Sequence, residues 1–341
     1  MKKICSLGAA YSQLGRKNSL NVLRLALAAM VIFAHYFPIT GSVSADLHTP
    51  ISYFAGWAVP GFFAISGFLI AGSYRNSSSR RSYFRKRFWR IYPAFWLALL
   101  VVAFVIAPSS WIVRVGGLDN YPWIDSLSYI SNNFSLIVFQ HEIGTTLQGA
   151  PLESAWNGSL WTLAPEFVCY LLLVPLYDLF RKRTMAALLV LIPIATAGFF
   201  IVSDNEILGP ALRVGVFFLC GALIFEVKDR ILIRPLLIFP SLLAILAASM
   251  QPDLMICSAL PMAFVLISLG TVKSRLQHFE KNDYSYGIYL YGFPVQQFLV
   301  ALELPNSFAV NVLATLSLST LFAVASWRLL EKPVIEAVRK K

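Results

Sequence analysis

Hydrophobic positions along this chain fill runs of about twenty residues separated by short clusters of Lys and Arg, and each run is long enough to cross a hydrocarbon layer roughly 30 Å thick. Windows of about nineteen residues place the runs near 22–40, 53–73, 89–107, 160–180, 185–202, 209–226, 235–250, 254–271, 284–303 and 308–327. The pattern predicts an all-α polytopic integral membrane protein with about ten transmembrane helices. The segment before them begins with Lys2 and Lys3, but its apolar stretch is short and broken by Ser6, Gly8 and Ser12. It does not read as a cleaved signal peptide.

Charge then sets the orientation. Of the 28 Lys and Arg residues, all but Arg24, Arg114 and Arg213 fall in clusters on one side of the predicted bundle. Positive-inside bias makes that side cytoplasmic, so the crossings are even in number and both termini are cytoplasmic. The expected organisation is a cytoplasmic N-terminal segment over 1–21, a transmembrane domain over 22–330 with an external loop over 108–158, and a cytoplasmic tail over 331–341. A composition of 57% hydrophobic and 13% charged residues excludes a water-soluble globule. On a soluble protein the net charge of +11 would point to nucleic acid. Here its placement between apolar runs assigns it to the lipid bilayer surface, with no nucleic acid partner. Cys5, Cys169, Cys220 and Cys257 indicate no disulfide framework.

The external segment 108–158 is long for a mere connection and carries Trp111, Tyr121 and Trp123 with Asp119, Asp125, Glu142 and Glu153. Two readings stand: a pair of amphipathic helices anchored at the interface by aromatics, or an acceptor-binding surface, since flat aromatic rings suit sugar rings. Asn157 and Trp161, where this segment meets the fourth run, are the candidate acceptor-binding residues.

Charged groups inside apolar runs are costly and generally face an interior cavity. The first run holds Arg24 and His35, eleven positions apart. At about 100° per residue both side chains leave one helix face, with an axial separation of about 16 Å. That spacing suits a ligand with an anionic head at the inner surface and a reactive end within the membrane, which is the shape of acyl-coenzyme A. Imidazole can take the proton of an attacking hydroxyl or serve as a transient acyl carrier, two routes that the sequence does not separate. Interfacial snorkelling of Arg24 and an interhelical hydrogen bond of His35 are the plainer alternatives. Glu166 lies at the depth of His35 on the fourth run and could fix its tautomer, or could pair with Arg213 instead. Pro165 before it could break the helix. Arg87 and Arg90, three apart at the entry to the third run, could form a fork for phosphate oxygens.

Other candidates carry less. His48, His141 and His278 have no metal-ligand spacing, so no metal site is expected. Ser66-Gly67 could supply a nucleophile, though Ser and Gly at a helix crossing are more often packing devices. Tyr284, Tyr286, Tyr289 and Tyr291 read as interface anchors.

Arg24 and His35, the phrase Gly61-Phe62-Phe63-Ala64-Ile65-Ser66-Gly67-Phe68-Leu69-Ile70, Arg87 and Arg90 before Ile91-Tyr92-Pro93, Ser159-Leu160-Trp161-Thr162-Leu163-Ala164-Pro165-Glu166, Tyr284 to Tyr291, and Glu331-Lys332-Pro333 together resemble the membrane-bound acyltransferase 3 family. The resemblance covers nearly the whole chain, in order. It implies an O-acyltransferase moving an acetyl group from cytoplasmic acetyl-coenzyme A, the donor substrate, to an extracytoplasmic carbohydrate at a bacterial inner membrane. The acceptor would be a surface polysaccharide or its lipid-linked precursor. It also implies that His35 is the catalytic centre and that Arg24, Arg87 and Arg90 are required, as donor contacts. The chain departs from the usual pattern at Pro60-Gly61, where many members have Asp and an apolar residue, and at Gly292, where many have His. No esterase-like domain follows the tenth run, so the protein is expected to act alone or with a separate partner. The alternative is a polytopic transporter or flippase of a lipid-linked glycan, which would need a broad polar groove. Acyl chain length, the acceptor hydroxyl and the oligomeric state are not fixed by the sequence.

Overall fold

The computed structural model describes residues 6–42, 56–233, 235–274, 276, 278, 282–302 and 307–340. Cys5, His48 and the start of the second apolar run lie outside them. The described residues form helices and no strand: α1 (Leu7–Leu14), α2 (Leu20–Thr40), α3 (Ala58–Arg75), α4 (Arg80–Val101), α5 (Ala107–Val115), α6 (Trp123–Asn133), α7 (Leu163–Phe180), α8 (Thr184–Val202), α9 (Leu208–Val227), α10 (Pro235–Ser249), α11 (Ala259–Gly270), α12 (Ser285–Ala301), α13 (Phe308–Ser326) and α14 (Lys332–Lys340). Each of the ten apolar runs carries a helix. Among the described residues six segments are long and apolar enough to cross a membrane: Leu20–Thr40, Arg80–Val115, Gly158–Val202, Leu208–Val227, Pro252–Gly270 and Phe308–Val338. A shorter apolar helix covers Leu236–Ser249. The described residues are all-helical, and these apolar segments make the chain a multi-pass membrane protein.

Prolines shape the two irregular turns. Val102–Ile106 and Trp327–Glu331 are π-helical, and they precede Pro108 and Pro333. In a regular helix a proline ring collides with the carbonyl four residues back. Those carbonyls belong to Phe104 and Leu329, inside the π turns, where the wider winding moves them aside. The third helix therefore continues through α5 to Val115, past its expected end near 107. Pro165 does not break the fourth helix. It sits in the first turn of α7, where a missing N–H costs nothing, after a short 3-10 turn over Gly158–Thr162.

The chain forms two compact units. The first comprises Met1–Leu27, Gly56–Tyr83 and Pro165–Asn282. Its centre is the crossing of α3 and α9, where glycines let two backbones touch: a Cβ on Gly67 would lie 1.9 Å from the carbonyl oxygen of Phe218, and one on Gly221 2.0 Å from that of Ala64. Small residues are the usual device for such an approach in lipid, where no hydrophobic force draws helices together. At the other end of the unit, α1 is tied down by Leu7 N–H to the Ile231 carbonyl at 2.9 Å.

The second unit comprises Ala28–Ala55, Phe84–Ala164 and Asp283–Lys341. Its centre is α12, buried along nearly all of its length. The four tyrosines at its start are not interface anchors: Tyr284, Tyr286, Tyr289 and Tyr291 are all buried. Tyr286 donates to the Ile91 carbonyl at 3.0 Å and Tyr289 to the Ser159 carbonyl at 2.6 Å, because a buried hydroxyl must find an acceptor. The segment 108–158 carries α5, which continues the third helix, and α6; the two expose Ile112, Val113, Ile124 and Leu127. The loop after them is internally bonded, with the buried Trp156 donating to Thr146 Oγ1 at 2.7 Å.

Candidate active site

Helix α2 carries Arg24 and His35 without interruption, so the helical continuity that their spacing requires is present. In the first unit the half-buried Arg24 guanidinium lies over the Phe62 ring of α3, 5.9 Å from its centroid. In the second unit His35 Nδ1 is 2.8 Å from the Val31 carbonyl oxygen, one turn back. A carbonyl can only accept, so Nδ1 carries a proton, and in the neutral ring the lone pair sits on Nε2. The orienting role that the sequence reading gave to a carboxylate is thus filled at Nδ1 by the helix backbone.

The His35 ring is wedged edge to face against Phe293 of α12, centroids 4.9 Å apart at 68°. Phe293 is held from behind by Gly158, where a Cβ would come within 2.8 Å of its ring. Next to that glycine, the buried Asn157 donates its amide to the Leu290 carbonyl at 2.9 Å and accepts from Ser159 Oγ at 2.7 Å. Asn157 therefore clamps the turn before α7 to α12, and Trp161 is partly exposed beyond it. Gly292, one residue before Phe293, packs on Ile32 so closely that a Cβ would lie 2.7 Å from it. A larger side chain at this position would have to push the Ile32 side chain aside.

Arg90 of α4 is enclosed in the second unit. It pairs with Asp283 and, at 3.3 Å, with Glu331 Oε2, and its guanidinium lies 5.5 Å from the Trp327 ring centroid and 5.7 Å from that of Tyr286. Glu331 also accepts from Ser326 Oγ at 3.0 Å. The π turn places Trp327 and Glu331 side by side on this cation. Arg87 stands one helical turn earlier on α4. The expected fork of two arginines therefore has one member committed to carboxylates.

Glu166 occupies the first turn of α7 in the first unit, where the exposed N–H groups of a helix start favour negative charge. Its Oε1 accepts from Ser66 Oγ at 2.8 Å and from the Tyr170 hydroxyl, which is itself 3.2 Å from Ser66 Oγ. Ser66-Gly67 thus does two things: the glycine packs α3 on α9, and the serine binds a carboxylate. The sequence reading gave no partner to Arg90 and overlooked Asp283, Tyr170 and Phe293. A buried acid directly before Lys332-Pro333 was the one readable signal.

Residues 17–328 match the family of acyltransferase domains. The chain is 27% identical to nodulation protein 10 of Rhizobium leguminosarum bv. viciae over 353 residues, covering 94% of each chain. It is 29% identical to the O-acetyl transferase of Shigella phage Sf6 over 331 residues, covering 93% of this chain and 96% of that protein. No solved structure matches it.

Proposed function

The chain belongs to the acyltransferase domain family, and from that premise we propose that it is an O-acyltransferase moving an acetyl group from cytoplasmic acetyl-coenzyme A to a carbohydrate hydroxyl on the opposite face of a bacterial inner membrane. The acceptor in this reading is a surface polysaccharide or its lipid-linked precursor. The transmembrane domain over 22–330 crosses ten times, with the segments 1–21 and 331–341 on the cytoplasmic side, in keeping with the distribution of Lys and Arg.

The observation that carries the proposal is the orientation of His35. With Nδ1–H bonded to Val31, Nε2 is the basic end of the ring. The acceptor hydroxyl gives its proton to Nε2 as its oxygen attacks the thioester carbonyl; the C–S bond breaks, and the departing sulfur takes the proton back, so that ester and free coenzyme A are formed. Phe293 limits ring rotation and so keeps Nε2 aimed. Arg24, on the same face of α2 toward the inner surface, contacts the anionic donor. Arg87 meets its phosphates, and Arg90, locked by Asp283 and Glu331, fixes the helix face that presents Arg87. Glu166 serves through the Ser66 hydroxyl that it holds, and Trp161 offers its exposed ring to the acceptor sugar, above the turn that Asn157 clamps.

Purified protein in proteoliposomes, given labelled acetyl-coenzyme A and a glycan acceptor, is expected to transfer label, and His35→Ala is expected not to. Transfer by His35→Ala at the wild-type rate would overturn the assignment of the base. Glycan translocation in the absence of any acetyl transfer by wild type would replace the enzyme with a flippase.

A further inference from the structure

At the basic end of the first unit a cavity of about 540 Å³ is lined by Arg75, Arg181, Lys182, Met185, Glu226 and Arg230. The cations come from three separate stretches: the last residue of α3, the turn joining α7 to α8, and the residues just after α9. One carboxylate faces four cations, and it is already used. Arg75 takes Glu226 in a two-pronged pair, Nε to Oε1 at 3.2 Å and Nη2 to Oε2 at 3.0 Å, while its guanidinium stacks 4.8 Å from the Tyr177 ring centroid. Arg75 Nη2 also reaches Thr184 Oγ1 at 3.3 Å and the Arg181 carbonyl at 3.4 Å. This lattice holds one cationic wall rigid. Among the described residues Arg181, Lys182 and Arg230 have no carboxylate partner. The Arg230 guanidinium reaches the Met185 thioether at 3.7 Å, a weak acceptor. Arg181 adopts φ +31°, a left-handed conformation uncommon for a residue with a side chain.

Topogenic charge needs only to lie on the correct side of the membrane; it does not need to converge on a recess. Here convergence leaves three cations on the rim of an opening large enough for more than a single ion. We propose that this cavity binds a phosphate ester, with the exposed Lys182 and Arg230 as its contacts and Arg75 as its fixed wall. Two sources offer that chemistry: the phosphates of a coenzyme A donor and the headgroup of an anionic phospholipid. The cavity is distinct from Arg87 and Arg90, which belong to the other unit, and its occupancy by a phosphate does not depend on the acetyl-transfer reading.

Full-length protein in nanodiscs of phosphatidylcholine alone tests this with pyrophosphate, coenzyme A and 3′-dephospho-coenzyme A by titration calorimetry, and with phosphatidylglycerol by native mass spectrometry. In Lys182→Gln/Arg230→Gln, pyrophosphate is expected to bind about tenfold more weakly than to wild type. Lys182→Gln alone, an exposed change on a turn, should give part of that loss without altering thermal stability. A parallel loss for coenzyme A, smaller for its dephospho form, assigns the site to the donor; a loss of phosphatidylglycerol adducts with unchanged coenzyme A binding assigns it to lipid. His35→Ala, which tests the acetyl-transfer reading, should bind pyrophosphate as wild type does, so the two ideas fail separately. Equal binding of all four probes to wild type and the double variant would overturn the proposal.

Discussion

Arg90 on α4 and Glu331 in the π turn after α13 form an ion pair at 3.3 Å although 241 positions separate them in the chain. Glu331 is almost wholly buried, with 3% of its side chain accessible, so the pair exists only because Asp283 and Ser326 complete its bonding. Removing Glu331 takes one carboxylate from an enclosed guanidinium, although Asp283 stays. Glu331→Leu is expected to lower stability by about 3 kcal/mol or more, read as a fall in thermal midpoint in detergent. The double variant Arg90→Met/Glu331→Leu should recover part of this loss. A single variant as stable as wild type would show that the pair does not organise this end of the unit.

His35→Gln retains a polar side chain but no base. Acetyl transfer is expected to fall about 10²-fold to 10⁴-fold with donor binding little changed. A fall in affinity alone, with turnover intact, would move His35 from proton transfer to substrate contact.

Phe293 couples the turn before α7 to the His35 ring. Gly158→Ala places a methyl group 2.8 Å from the Phe293 ring and should push that ring against His35, lowering turnover more than stability. Adding Phe293→Leu makes room and is expected to restore part of the rate. Non-additivity in this double-mutant cycle is the measurement, and simple additivity would refute the coupling.

The Glu166 cluster predicts a different signature. Tyr170→Phe and Ser66→Ala each remove one donor from the same oxygen, costing about 1–3 kcal/mol of stability, and the second removal should hurt more than the first because the carboxylate then has no hydroxyl left. Thermal midpoints of the two single variants and the double variant decide it.

Gly67→Ala tests the helix crossing. Its methyl group would lie 1.9 Å from a backbone oxygen, so α3 and α9 must part. Loss of folded protein on size-exclusion chromatography is expected, whereas Gly215→Ala on α9, with nothing within 4 Å, should be silent.

Long apolar runs were legible because the bilayer imposes their length, and every one carries a helix. The cost of charge in lipid singled out Arg24, His35 and Glu166 as candidates, and spacing within a basic cluster singled out Arg87 and Arg90. Partners were not legible. Asp283 lies outside the apolar runs, and Tyr170 and Phe293 are ordinary members of them; only the fold brings these residues to Arg90, Glu166 and His35. The α12 tyrosines were misread for the same reason: an aromatic near a run boundary has the composition of an interface anchor whether or not another helix covers it. Helix ends moved where local chemistry overrode hydropathy, as at Val115, which the winding before Pro108 keeps helical, and at Pro165, which opens a helix rather than interrupting one.

Each π turn contains one residue more than regular winding would use, and at Trp327–Glu331 that surplus is what lets an aromatic ring and a carboxylate meet the same guanidinium. Excising Leu329 would remove that surplus and leave the chain beyond it in step with α13. The same deletion made earlier, at Leu321 in the regular part of α13, would instead rotate everything after it by about 100°, turn Glu331 away from Arg90 and leave that cation with half its compensation.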